Sequence, residues 1–208
     1  MKTKTRSALG VLFLGFALAL AVPTDALAAE KADDLRAAMR RLWEDHVTWT
    51  RLYIVSTLAG LPDNAATTAR LLQNQTDIGN AIKPFYGDAA GTRLTALLKD
   101  HILIAADIVQ AAKSGDGAKL DPSKARWTAN ADDIAAFLSS ANPRSWPAAD
   151  VKAMMHDHLA ATAAELEARL KKDWNADVAA YDRVHEQILK MADMLSEGIV
   201  RQFPQKVA

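Results

Sequence analysis

The chain has 208 residues, with 25 basic and 25 acidic side chains, five histidines and no cysteine. The lack of cysteine excludes disulfide bonds, thiolate metal sites and c-type haem attachment. No Lys/Arg cluster follows the N-terminal region, so neither nucleic acid nor an anionic membrane surface is expected as a partner.

The first 28 residues have the features of a secretory signal peptide. Lys2, Lys4 and Arg6 precede an apolar run from residue 8 to residue 22, which is too short for a spanning helix. The small residues Ala26 and Ala28 predict cleavage after Ala28, and hence export to the periplasm or the medium. An uncleaved N-terminal anchor is the alternative.

Residues 29–208 are expected to form one domain. Cleavage would remove three of the 25 basic and one of the 25 acidic side chains, which leaves 22 and 24 and a net charge of about −2. No later stretch is apolar enough for a membrane span.

Helical periodicity runs through this whole region, and no alternating pattern typical of strands competes with it. Capping residues and prolines predict six helices, which would cover residues 33–59, 63–83, 88–113, 122–141, 147–171 and 176–203. Asp33 or Asp34 is expected to cap the first helix, and Asp63 the second. Pro84 is expected to end the second helix, and Pro122 to open the fourth. The predicted fold class is an all-α antiparallel bundle.

An internal repeat is visible in the middle of the chain. Arg70, Asn74 and Asp77 in the second helix return as Arg126, Asn130 and Asp133 in the fourth. The distance from the asparagine to the next histidine is 27 residues in the first copy and 28 in the second, and a fragment of the pattern recurs at Asp45-His46-Val47. The repeat predicts a helix-turn-helix unit that is used at least twice.

Each expected helix carries one strongly polar residue near the middle of an apolar face. These residues are His46, Asn74, His101, Asn130, His158 and His185. Helices joined by short loops are antiparallel, so their midpoints lie at similar heights and the six side chains are expected to form one polar layer, or two smaller clusters. Asp77 and Asp133, with Arg70 and Arg126, are expected to support its edges.

Two interpretations of this layer remain open. The imidazoles and amides can fix the helix register by bonding one another. Alternatively, neutral imidazoles with nearby carboxylates can bind a divalent metal or a small polar ligand. An enzyme is a remote third interpretation, because the sequence has no phosphate-binding glycine loop and no nucleophile elbow.

Several strings resemble a family of exported bacterial proteins without established function. They lie at residues 42–51 (LWEDHVTWTR), 74–84 (NQTDIGNAIKP), 130–138 (NADDIAAFL) and 198–204 (GIVRQFP), and the similarity covers nearly all of the expected mature chain. Members often carry the label glycosyltransferase, but the α/β donor-binding pattern is absent from this sequence. The resemblance therefore implies an exported setting and no reaction.

Overall fold

The computed structural model describes the backbone of residues 24–207 and the side chains of residues 29–207. The described chain forms six α-helices and a closing 3₁₀ turn: α1 Thr24–Ala59, α2 Asn64–Tyr86, α3 Asp88–Ser114, α4 Gly117–Ala141, α5 Ala148–Leu170, α6 Trp174–Gln202 and Pro204–Lys206. This confirms the all-α prediction. The predicted signal peptide lies outside the residues whose side chains are described.

The helices form a closed ring of three hairpins. Each helix packs against its neighbours in the chain, and α6 returns to pack against α1. The hairpins are α1–α2, α3–α4 and α5–α6, so α1, α3 and α5 run in the same direction. Contacts of α1 with α3 and α5 show that these three helices meet inside the ring. Within residues 24–207, no helix has both the length and the apolar character needed to cross a membrane.

The interior is built in layers, each with one residue from α1, α3 and α5. Two buried apolar layers lie on the N-terminal side of the three histidines, at seven and three residues before them: Met39, Leu94 and Val151, then Trp43, Leu98 and Met155. These large side chains leave little free space. The layer that follows the histidines by one turn is made of small residues, Thr50, Ala105 and Thr162.

Three predicted helix boundaries are wrong. α1 begins at Thr24 rather than at Asp33 or Asp34, and α4 begins at Gly117 rather than at Pro122. Asp116 caps α4 by accepting a hydrogen bond from the Lys119 amide, so the helix starts before the proline. α2 continues past Pro84 to Tyr86.

The start and end of α2 also differ from the prediction in their capping. The Asp63 carboxylate accepts from the Ser56 hydroxyl and does not cap α2. At the other end, Lys206 donates to the carbonyl oxygens of Pro84 and Phe85, which stabilises the last turn beyond the proline.

The inward face of α6 was predicted one position out of register at its N-terminal end. Val178, seven residues before His185 on the face that was expected to point inward, is 53% exposed, whereas Asp177 is 1% exposed. Asp177 is buried because it forms ion pairs with Arg51 and Arg169. The inward face of α6 was not recognised from the sequence because it includes the charged residue Asp177.

Candidate functional site: the histidine layer and the axial cavity

Three buried histidines meet near the axis of the bundle. His46, His101 and His158 come from α1, α3 and α5. The ring centroids of His46 and His158 are 5.8 Å apart, and those of His101 and His158 are 6.2 Å apart. Trp43 packs edge-on to His46, and Trp127 stacks on His101 at a centroid distance of 5.2 Å.

Each histidine faces an amide side chain on the second helix of its own hairpin, 29 residues later in the sequence. The Nδ1 atoms of His46, His101 and His158 lie 3.2, 2.8 and 3.2 Å from amide oxygens. These oxygens belong to Gln75, Asn130 and Gln187. We call these six residues the histidine layer.

The amide nitrogens fix the orientation of these bonds. Asn130 donates to the carbonyl oxygen of Leu97, and Gln187 donates to that of Met154, in each case four residues before the histidine. In the first hairpin, Asn74 makes the equivalent bond to the Leu42 carbonyl oxygen, while Gln75 binds the imidazole.

An amide oxygen accepts hydrogen bonds, so each Nδ1 must carry the ring proton. Burial is the main cause that lowers the pKa of all three histidines. It lowers the pKa of His158 to about 4, that of His101 to about 3 and that of His46 well below its ordinary value of 6.5. The three rings are therefore neutral at pH 7, with the Nε2 lone pair free of a proton.

The structure brings together five of the six residues predicted for the polar layer: His46, Asn74, His101, Asn130 and His158. His185 is the exception. Its side chain is 32% exposed, and its Nε2 atom lies 2.9 Å from the Glu44 carboxylate at the surface. His185 was placed in the layer because the inward face of α6 was predicted one position out of register. The same error explains why Gln187 was not predicted.

The predicted supporting residues lie outside the layer. Arg70 bridges Asp45 and Asp77 near the surface, and Arg126 pairs with Asp107. Asp133 is exposed. No hydrogen bond or ion pair joins these side chains to the described residues of the layer, so the support expected from them is not seen.

Sequence reasoning missed Gln75 and Gln187. The signal that would have found them is the constant separation of 29 residues from a histidine to a carboxamide, which completes the third copy of the repeat. The asparagines had instead been paired with the following histidine, which belongs to the next hairpin.

The residues described in full contain no group of three or more His, Asp or Glu side chains arranged so that it could hold a metal ion. The geometry therefore gives no support to the predicted metal site.

An apolar cavity of about 470 Å³ lies directly beside the histidine layer. Its wall includes the small residues one turn after each histidine, Thr50, Ala105 and Thr162, and then Ile54, Val109 and Leu166 one turn further. Thr50, Ala105 and Thr162 are small, whereas the residues three positions before the histidines are large: Trp43, Leu98 and Met155. The cavity exists because of this difference in side-chain size. We call it the axial cavity.

Few polar atoms line the inner part of the axial cavity. The hydroxyls of Thr50 and Thr162 donate to the carbonyl oxygens of His46 and His158, which leaves their methyl groups for the wall. Tyr53 is 7% exposed, and its hydroxyl has no hydrogen-bond partner among the described residues.

A buried ionic cluster lies beside the cavity, between α1, α5 and α6. Arg51 donates to Glu165 at 2.8 Å and to Asp177 at 2.9 Å, and Arg169 donates to Asp177 at 2.8 Å. Burial raises the pKa of Glu165 to about 7, against the effect of Arg51. Burial also opposes ionisation of Asp177, but hydrogen bonds from Arg51 and Arg169 outweigh it and lower the pKa of this carboxyl.

No protein family matches the chain, and neither a curated protein nor a solved structure is significantly similar to it.

Proposed function

We propose that this protein is an exported binding protein that holds a small apolar molecule in the axial cavity. The observation that carries the proposal is the cavity itself, an apolar space of about 470 Å³ that reaches from the surface to the buried positions after the histidines. Binding sites for small molecules are typically cavities of roughly 300–1,000 Å³ with mostly apolar walls and few polar groups. Export is inferred from the N-terminal sequence alone.

The histidine layer lies one turn from this cavity and supports the helices that form its walls. Its amides and imidazoles satisfy one another across each hairpin, which fixes the register of α1 against α2, α3 against α4 and α5 against α6. Because the helices are fixed in register, the small residues that follow the histidines stay at equivalent heights, which keeps the space between them open.

The proposal is tested with N-phenylnaphthylamine, an uncharged dye whose emission rises when it leaves water. Ala105 lines the cavity one turn after His101, so Ala105→Leu fills space that the dye needs. We expect the dye to bind the purified protein, and Ala105→Leu to weaken binding about ten-fold, as a packing conflict of 1–3 kcal/mol would.

The matched control is Ala179→Leu, an equal substitution at an exposed position on α6, a helix that does not line the cavity. It should leave dye binding unchanged. Failure of the wild-type protein to bind the dye, or equal binding by Ala105→Leu, would contradict the proposal and favour a layer that only sets helix register.

A further inference from the structure

The axial cavity opens to the surface between α4 and α5. Its inner wall is buried, but lining residues of these two helices are exposed: Lys124, Thr128, Ala160, Ala163, Glu167 and Leu170. α4 and α5 also pack less extensively against each other than the other neighbouring helices do. A ligand that fills the cavity would therefore have one end at this opening.

The inner part of the cavity cannot hold a charged group. Its walls are aliphatic and aromatic, and no lysine, arginine, aspartate or glutamate lines them away from the opening. Moving an ion into such surroundings costs several kcal/mol unless it is paired. Any charge on the ligand must lie at the opening.

The charges at the opening favour an anion. Glu167 is the acidic side chain that lines the cavity, and it pairs with Lys171. His156 lies against Asp132, which also pairs with Lys152.

Lys124 forms no ion pair with any described residue. The hydrogen bond from Lys171 is the main cause that lowers the pKa of Glu167, and the charge of Lys124 makes a smaller contribution. Lys124 is thus the one lysine on the cavity wall, and its charge is not matched by a bonded carboxylate.

From this arrangement we infer that the ligand is an amphiphile with a single negative charge, whose apolar chain fills the axial cavity and whose head group pairs with Lys124 between α4 and α5. The inference rests on the proposed function and adds the chemical class of the ligand. A single unpaired ammonium matches one negative charge rather than a doubly charged head group.

The test compares decanoate with decanol, which share the alkyl chain and differ in charge. Affinities of both are measured by calorimetry for the wild-type protein and for Lys124→Met. A partly exposed ion pair contributes about 0.5–1 kcal/mol at the upper end of its usual range, so the preference for decanoate over decanol should fall about two- to five-fold in Lys124→Met. Added salt should weaken decanoate binding to the wild-type protein and leave decanol binding unchanged.

Lys190→Met is the control, because Lys190 is exposed on α6 and does not line the cavity. It makes the same change of charge and should leave the ratio of the two affinities unchanged. If both ligands bind but Lys124→Met changes their affinities equally or not at all, the anionic head group is wrong and the apolar cavity stands. If neither ligand binds the wild-type protein, the proposed function fails as well.

Discussion

At the scale of single residues, the carboxamides determine which ring nitrogen of each buried histidine carries the proton. Asn130 uses its oxygen for His101 and its nitrogen for the Leu97 carbonyl, so both ends of one small side chain are engaged inside the bundle. A buried group that loses its partner costs more than the hydrogen bond itself contributes, because the orphaned group stays out of water.

Asn130→Leu should therefore lower the free energy of unfolding by about 1–3 kcal/mol, because the Nδ1–H group of His101 loses its acceptor. His101→Leu should cost a similar amount, since it leaves the Asn130 oxygen unpaired. The double variant should be more stable than the sum of the two losses predicts, because no polar group is then orphaned. Urea unfolding of the four proteins measures this coupling, and strictly additive losses would show that the two side chains do not depend on each other.

At the scale of helices, α2 and α3 are held together by two glycines. A Cβ atom at Gly79 would lie 2.6 Å from the Gly91 carbonyl oxygen, and one at Gly91 would lie 2.5 Å from the Gly79 carbonyl oxygen. Backbone atoms cannot give way as a flexible side chain can, so both positions require the absence of a side chain.

Gly79→Ala should destabilise the protein by about 2 kcal/mol or more, although alanine favours the helix by about 1 kcal/mol. Gly117→Ala is the matched substitution in the first turn of α4, where a Cβ would have no atom within 4 Å. We expect this variant to be as stable as the wild type or more stable. Thermal unfolding of the two variants distinguishes steric contact from helix propensity, and equal shifts in Tm would contradict close packing of α2 on α3.

At the scale of the whole molecule, the histidine layer makes stability depend on pH. The pKa of each buried histidine is lowered in the folded protein, so the unfolded chain binds more protons below the ordinary value of 6.5. The contribution of the neutral histidines to the free energy of unfolding is therefore complete above pH 6.5. It is lost progressively as the pH falls toward 4, the pKa of His158, and further toward 3, that of His101. Glu165, with its pKa raised to about 7, acts in the opposite direction between its ordinary value of 4.5 and pH 7.

Each buried histidine that stays neutral contributes a slope of about 1.4 kcal/mol per pH unit between pH 6 and 4.5. His158→Gln should reduce the measured slope by about this amount, whatever its effect on stability at pH 7. Urea unfolding at several pH values provides the measurement, and an unaltered slope in His158→Gln would contradict the neutral, buried state of the ring.

Much of this architecture could be predicted from the sequence because it depends on local signals. The C-terminal ends of α3 and α6 follow from Gly115 and Pro204, the start of α5 follows from Pro147, and the apolar periodicity identifies the helices themselves. The meeting of His46, His101 and His158 follows from antiparallel helices of similar length.

The rest could not be predicted, because it depends on contacts between distant parts of the chain. An aspartate such as Asp177 is expected on a solvent-facing surface, and it is buried here beside Arg51, far away in α1. The register of α6, and with it the true positions of Gln187 and His185, depends on that ion pair. The cavity depends on three small residues at equivalent heights, and their equivalence is visible only once the three hairpins are superposed.

The position of the histidine layer on the common axis has a consequence for how the molecule unfolds. In an open array of hairpins, a terminal unit can detach while its neighbours persist, and partly folded species accumulate. Here each hairpin provides one histidine of the layer. If one hairpin detached, the buried imidazoles of the other two would be exposed to water. The energetic coupling between the hairpins favours a concerted, all-or-none transition without long-lived intermediates.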